Sequence, residues 1–311
     1  MPSPEAAGSA ADAAVTAPAI HRPPLAATLY ALAAIVMYVA MSVCIRALAD
    51  RLPAGDMTFY RAFVGLLLLL PLVFGGGWPR ARRTLKTQRL PLYGLRALLT
   101  YLAIVTYFYA LTKISMAEAI ALNATLPIFM TGMAAIFLGE AVGMKRWSAV
   151  ALGFLGAMVI VRPGFAEVSW AALAALGSAV LYGAAGVVVK MLSRTEPPGR
   201  IVFYLNLFVA VLAAAPVIVD FTAPRWADVP FIVAIGATGT AAHYFQSNAM
   251  KRADASFVAT FDFLRLPLGA FCGYILFHDQ PSHWVWIGAA LIFTSTLWIA
   301  RHDPVPKRAA A

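Results

Sequence analysis

The chain reads as an all-α integral membrane protein of ten transmembrane helices, built as two inverted five-helix repeats. Three observations carry that expectation. First, 61% of its 311 residues are hydrophobic and only 12% are charged. A soluble domain carries about 25% charged residues, so this chain cannot cover a water-facing surface. Second, apolar runs recur from Leu25 to Ala300 with short polar links between them. A helix crosses the hydrocarbon core in about 20 such residues. Third, the two halves of the chain repeat one another.

The apolar runs place spans at 25–46, 56–75, 92–112, 115–138, 146–162, 170–191, 200–220, 229–250, 255–277 and 283–300. Basic residues test this count. With the N-terminus inside, 16 of the 24 Lys and Arg residues fall in inner links, including Arg80, Arg82, Arg83, Lys86 and Arg89. Outer links hold Arg46, Arg51, Lys113, Arg162 and Arg225. This bias predicts cytoplasmic termini. A missed span would reverse every later link, so the alternation favours an even count.

The repeat is visible without gaps. When residues 31–60 are set against 175–204, 11 of 30 positions are identical. They include Tyr38/Tyr182, Pro53/Pro197, Gly55/Gly199, Phe59/Phe203 and Tyr60/Tyr204. Further on, Pro127 corresponds to Pro267. Each half holds five spans, an odd number, so the second half enters the membrane from the opposite side. Residues 25–164 form the first repeat and 165–302 the second. Residues 1–24 and 303–311 are expected to be cytoplasmic tails. The N-terminal tail is rich in Ala, Pro and Ser and lacks the apolar core of a cleavable signal peptide.

The net charge of +10 belongs to the links between spans, and no basic stripe interleaved with aromatics suggests nucleic acid. Cys44 and Cys272 both lie in apolar runs, where they read as small packing residues. No phosphate-binding glycine-rich loop and no His-Glu-x-x-His pattern occurs, so neither a nucleotide-driven pump nor a zinc hydrolase is indicated. No cofactor and no metal site is expected.

Inverted repeats with a site at their interface are a recurring plan of alternating-access transporters. On that plan, ionisable and polar residues inside the spans are the site candidates, because a charge in the bilayer usually faces a wet cavity or a partner. Asp262 and Arg265 lie three residues apart on one helix face. They either form a local salt bridge or open to a zwitterion, with Arg265 on its carboxylate and Asp262 on its ammonium group or a proton. Asn123 precedes Pro127 by one turn and offers a hydrogen bond. Tyr38 and Tyr182 are repeat-related and lie mid-span. The substrate-binding set is therefore Asp262, Arg265, Asn123, Tyr38 and Tyr182. His243, Tyr244, Gln246 and Asn248 make the eighth span unusually polar. Arg61 and Arg96 are expected to snorkel towards the nearer membrane surface or to find a structural partner.

The stretch from Phe108-Tyr-Ala-Leu-Thr through Pro127 to Leu138-Gly-Glu140 resembles the first repeat of the drug/metabolite transporter superfamily, EamA type. Ala249-Met-Lys-Arg, Asp262-Phe-Leu-Arg-Leu-Pro267 and Gly288 resemble its second repeat. The resemblance covers about residues 25–302. It implies ten helices, cytoplasmic termini and a central cavity lined by spans 1–4 and 6–9. The second repeat departs from the pattern, with Gln280 where the first has Glu140.

The expected function is secondary transport of a small polar or zwitterionic metabolite across the cytoplasmic membrane, export being slightly favoured. Uptake of a vitamin, nucleoside-like compound or adenosyl-amino acid is the alternative. A polytopic membrane enzyme or a non-transporting subunit are further ones. Expected partners are the small-molecule substrate and the lipid bilayer of the inner membrane. A coupling proton or other ion, and a homodimer, stay open.

Overall fold

The computed structural model describes residues 25–138, 144–161, 169–252, 258 and 262–302. Every regular element among them is helical. In chain order these are α1 (Leu25–Leu48), α2 (Ala54–Phe74), α3 (Trp78–Leu85), α4 (Leu90–Lys113), α5 (Met116–Asn123), α6 (Leu126–Leu138) and α7 (Met144–Val161). Then follow α8 (Trp170–Ser193), α9 (Pro198–Val219), α10 (Val229–Arg252), α11 (Arg265–Phe277) and α12 (His283–His302). Single 3-10 turns at Trp226–Asp228 and Asp262–Leu264 lead into α10 and α11.

The apolar spans become helices because lipid offers no partner for an unpaired backbone amide, and a helix satisfies its own. Five helices, α1, α2, α4, α8 and α9, are long and apolar enough to cross a membrane. Their outward faces are apolar too. Val36, Leu67, Ile218 and Val219 are among the exposed side chains of these helices, a surface suited to lipid rather than water.

The local sequence sets where helices begin. Pro53 and Pro197, a repeat-related pair, precede α2 and α9 in the same extended conformation. Pro91 and Pro198 stand in first turns, where the missing N–H has no intrahelical partner to lose. Ser115 caps α5, its hydroxyl accepting from the Glu118 amide.

Two departures from the predicted spans matter. The span predicted at 115–138 is broken into α5 and α6, and the break falls directly before Pro127. Placed second in α6, this proline lacks only an amide hydrogen that a first turn leaves unpaired. In the span predicted at 255–277, the described helix starts only at Arg265, after its 3-10 turn and two residues before Pro267. The polar link after α2 also carries an unforeseen short helix, α3, whose Arg82 and Arg83 stand in its last turn. Glu140, both tails and the junction between the repeats lie outside the described residues.

The halves pack by mutual exchange. Helix α1 packs on α10 while its counterpart α8 packs on α4. Likewise α2 meets α10 while α9 meets α4, and the self-related pairs α2–α9 and α7–α12 also touch. Counterpart helices run in opposite directions. At the start of α2, Asp56 accepts from the Thr222 amide, beyond the end of α9, at 3.1 Å. At the start of α9, Arg200 donates to the Thr84 carbonyl, in α3, and to the Arg83 carbonyl at 3.2 Å. Helices α2 and α9 are therefore antiparallel although they hold the same place in each half.

Glycines set the closest crossings. A Cβ on Gly156 would lie 2.8 Å from the Gly288 carbonyl oxygen, and one on Gly288 would lie 2.6 Å from the Gly156 carbonyl oxygen. This mutual approach joins α7 to α12. On α11, Gly269 and Gly273 face Ile120 and Met116 of α5.

Candidate functional site

The broken helices and the crossing of the halves surround one cavity of about 70 Å³. Helix α1 supplies Tyr38 and Met41, and α4 supplies Arg96, Thr100 and Tyr107. The α5–α6 break contributes Asn123, Leu126 and Met130, and α8 contributes Tyr182. Helix α10 brings His243, Gln246 and Ser247, and the turn into α11 brings Asp262 and Arg265. All five residues singled out in the sequence, Tyr38, Asn123, Tyr182, Asp262 and Arg265, thus share one wall system, although they are spread over more than 220 positions of the chain.

Tyr38 is the hub. It is buried, and its hydroxyl donates to Oε1 of Gln246 at 2.7 Å. The same oxygen lies 3.1 Å from Nδ1 of His243. A phenol has a single proton, so the His243 contact is satisfied when Nδ1 carries hydrogen and donates. The His243 ring stands edge-on to Tyr38, at 5.5 Å between centroids. On the other side, Cζ of Arg265 lies 4.9 Å from the Tyr38 ring centroid, within cation–π range. Two segments of the second half therefore meet on one aromatic side chain of the first.

Arg265 uses this contact rather than a tight pair with Asp262. Their relation is electrostatic only: no N–O approach within 4.0 Å joins them among the described residues. Nε of Arg265 has no hydrogen-bond partner. Of the two readings the spacing left open, the closed local salt bridge is absent from this arrangement. Asn123 donates to Oγ of Ser178 at 2.7 Å, and Ser178 donates onward to the Ala175 carbonyl at 2.6 Å. This chain of bonds ties the α5 terminus to α8 and leaves the Asn123 carbonyl oxygen for other partners.

Two arginines depart from expectation. Arg96 does not snorkel. It is 3% exposed, donates to the Ile201 carbonyl at 2.7 Å and stands in the cavity wall. Arg61 is fully buried, at 0% exposure, and none of its three guanidinium nitrogens has a hydrogen-bond partner. A positive charge within an apolar span was the signal for both. Their nearness to helix ends made the outward-reaching conformer the simpler reading, and only packing excludes it. His243 and Gln246 also gain a definite place, since helical periodicity alone could not orient the polar end of α10.

Among the described residues, no three His, Cys, Asp or Glu side chains gather as a metal ion would need. The wall offers aromatic faces, one part-buried carboxylate, two guanidinium groups and amide groups from both halves.

Comparison with known proteins identifies the family. The EamA-like transporter family matches twice, over residues 25–162 and 169–301. A riboflavin transporter of Rhizobium johnstonii is 33% identical over 252 residues, covering 81% of this chain and 82% of the relative. An S-adenosylmethionine uptake transporter of Rickettsia felis is 26% identical, covering 81% of this chain and 84% of its own. A pseudopaline exporter of Pseudomonas aeruginosa is 29% identical, covering 84% and 91%. A solved crystal structure with 22% identity shares the fold, with a TM-score of 0.65 over 90% of this chain and 99% of its own. With both halves matched and the bundle built from paired counterparts, the chain is a multi-pass membrane protein that belongs to the EamA-like transporter family.

Proposed function

We propose that this chain carries a small heterocyclic metabolite of the riboflavin type across the cytoplasmic membrane by alternating access. The observation that carries this reading is the cavity wall itself. Tyr38, Tyr107, Tyr182 and His243 offer rings for stacking, while Gln246, Asn123, Asp262 and Arg265 offer donors and acceptors at their edges. A planar, polar-edged ring system needs that combination.

The cavity size supports the mechanism. At about 70 Å³ it falls short of the roughly 300 Å³ at which ligand pockets begin, so a substrate requires the helices to part. The two halves meet around it through exchange-related contacts, which suits a rocking motion of one repeat against the other. The helix breaks before Pro127 and Pro267 border the same space and resemble the discontinuous helices of transporter sites. Relatives named for uptake and for export match this chain similarly. We therefore take net direction to follow the substrate gradient, with both termini in the cytoplasm as the basic links indicate.

The test is riboflavin flux into proteoliposomes containing the purified full-length chain, read by flavin fluorescence. Saturable flux above empty vesicles, lost in Tyr38→Ala/Tyr182→Ala, is the expected result. Flux no greater than in empty vesicles would remove riboflavin as a substrate.

A further inference from the structure

Arg61 has no role in the cavity as drawn so far. It lies seven residues into α2, so about 10 Å along the helix from its start. The side chain passes between α2 and α10, where Gly239 leaves room: a Cβ there would stand 2.8 Å from Arg61 Nε and 3.0 Å from Met41 Sδ. The guanidinium thus reaches the side of α1 that carries Met41, itself a cavity-wall residue. Tyr38 and Tyr182, also in the wall, are its principal electrostatic neighbours.

Among the described residues no acid pairs with it. The ion pairs of Arg46, Arg51 and Arg200 lie at the ends of the bundle, and none involves Arg61. Asp262 is the part-buried carboxylate of the cavity wall, and the charge that bears on it is that of Arg265. Arg96 has a backbone acceptor at Ile201; Arg61 has none. Arg61, Arg96 and Arg265 all bear electrostatically on His243, so three guanidinium groups bear on a region whose wall, among the described residues, holds one carboxylate, Asp262. A buried guanidinium with no acceptor is strongly unfavourable, and more so within a bilayer.

We propose that Arg61 is the seat for an anionic group of the transported solute, a carboxylate or phosphate that reaches it from the cavity past Met41 when the helices part. The proposal rests on the transport reading above and extends its substrate class to solutes of the same ring type that also bear such a group, which riboflavin itself lacks. A guanidinium offers a planar fork that binds either anion through two parallel hydrogen bonds. The solute would bring the missing counter-charge, and leaving would restore the unpaired state, which keeps binding reversible.

The experiment is thermal unfolding of the purified full-length chain in detergent, titrated with inorganic phosphate, with riboflavin and with riboflavin 5′-phosphate. In the wild type, inorganic phosphate and riboflavin 5′-phosphate should raise the midpoint, the latter more than riboflavin does. In Arg61→Met the phosphate shift and the extra shift of the phosphorylated flavin should be lost. The ligand-free Arg61→Met protein should also melt higher than wild type, because an unpaired buried charge is gone. If Arg61→Met does not fold, Arg61→Lys decides, since a single ammonium cannot reproduce the fork and its phosphate shift should fall. Equal phosphate shifts in wild type and variant, including no shift in either, overturn the proposal. A shift produced by added phosphatidylglycerol but not by free phosphate also overturns it, by giving the seat to a lipid headgroup. Riboflavin flux is read separately in proteoliposomes: flux without an Arg61-dependent shift leaves the transport reading standing, and the shift without flux leaves the anion seat standing.

Discussion

Arg46 and Asp279 close one end of the bundle across the two halves. Nη2 of Arg46 lies 3.4 Å from Oδ1 of Asp279, while Nη1 donates to the carbonyls of Leu111 at 2.6 Å and Ile114 at 3.1 Å. The second oxygen of Asp279 accepts from the Met116 amide at 2.9 Å. One ion pair thus gathers the end of α1, the α4–α5 link and the link after α11.

With both termini in the cytoplasm, as proposed, this latch should hold the outward-facing end shut. In Asp279→Asn the charge is lost, and a partly buried pair of this kind contributes about 1 kcal/mol, which alters a two-state population about fivefold. Cys44, half-buried two residues before Arg46, is a built-in reporter. In a Cys272→Ser background, labelling of Cys44 by a membrane-impermeant maleimide from the outer side should rise roughly fivefold over the parent that keeps the Arg46–Asp279 pair. An unchanged labelling rate would mean that the pair does not gate access.

Tyr38 makes two separable kinds of contact. Tyr38→Phe removes the hydrogen bond to Gln246 and the contact with His243 but keeps the face under Arg265. Tyr38→Ala removes all three. A hydrogen bond contributes about 1 kcal/mol and a desolvated cation–π contact up to about 2 kcal/mol. Flux at matched membrane abundance should therefore fall by roughly tenfold or less in the first variant and by more in the second. Equal losses would show that the hydroxyl carries the whole effect.

Two glycines of α8 should respond oppositely to a methyl group. A Cβ on Gly183 would stand 2.9 Å from the Met130 amide nitrogen, which is backbone and cannot swing aside. Gly183→Ala should force α8 from α6 and lower the unfolding midpoint, at a cost of about 1–3 kcal/mol. Gly177 meets nothing within 4 Å, so Gly177→Ala should be neutral or stabilising by up to about 1 kcal/mol. Thermal unfolding of the two variants side by side gives the comparison.

Glu196 ties the α8–α9 link to the segment before α4. Its carboxylate accepts from Thr87 at 2.8 Å and from Arg200 at 2.5 Å. Burial pushes this carboxyl upward, but these hydrogen bonds and the Arg200 charge outweigh it and hold it below its ordinary value of 4.5. A depressed folded-state value gives stability that is present above pH 4.5 and is lost as pH falls through the lower, folded value. Unfolding midpoints followed from about pH 6 to about pH 3 should drop in the wild type. In Glu196→Gln they should start lower and drop less. Parallel curves would exclude Glu196 as a source of the acid sensitivity.

Composition and the recurring apolar runs were enough to establish the membrane class and its helical character, because a bilayer admits little else: roughly 20 apolar residues whose backbone must satisfy itself form a helix. The inversion was also legible, since Pro53/Pro197 and Tyr60/Tyr204 align and an odd number of spans per half reverses the second one. The candidate residues Asp262, Arg265, Asn123, Tyr38 and Tyr182 could be picked out because polar groups in apolar spans are rare. Their mutual geometry could not be, because it depends on how helices distant in sequence rotate and cross. Tertiary packing alone decided that Arg265 lies over Tyr38 rather than against Asp262, that Gln246 and His243 share the Tyr38 hydroxyl, and that α10 glycines admit Arg61 without an acceptor. A side chain's charge is written in the sequence, but whether it meets a partner, lipid or nothing is a property of the surfaces brought against it.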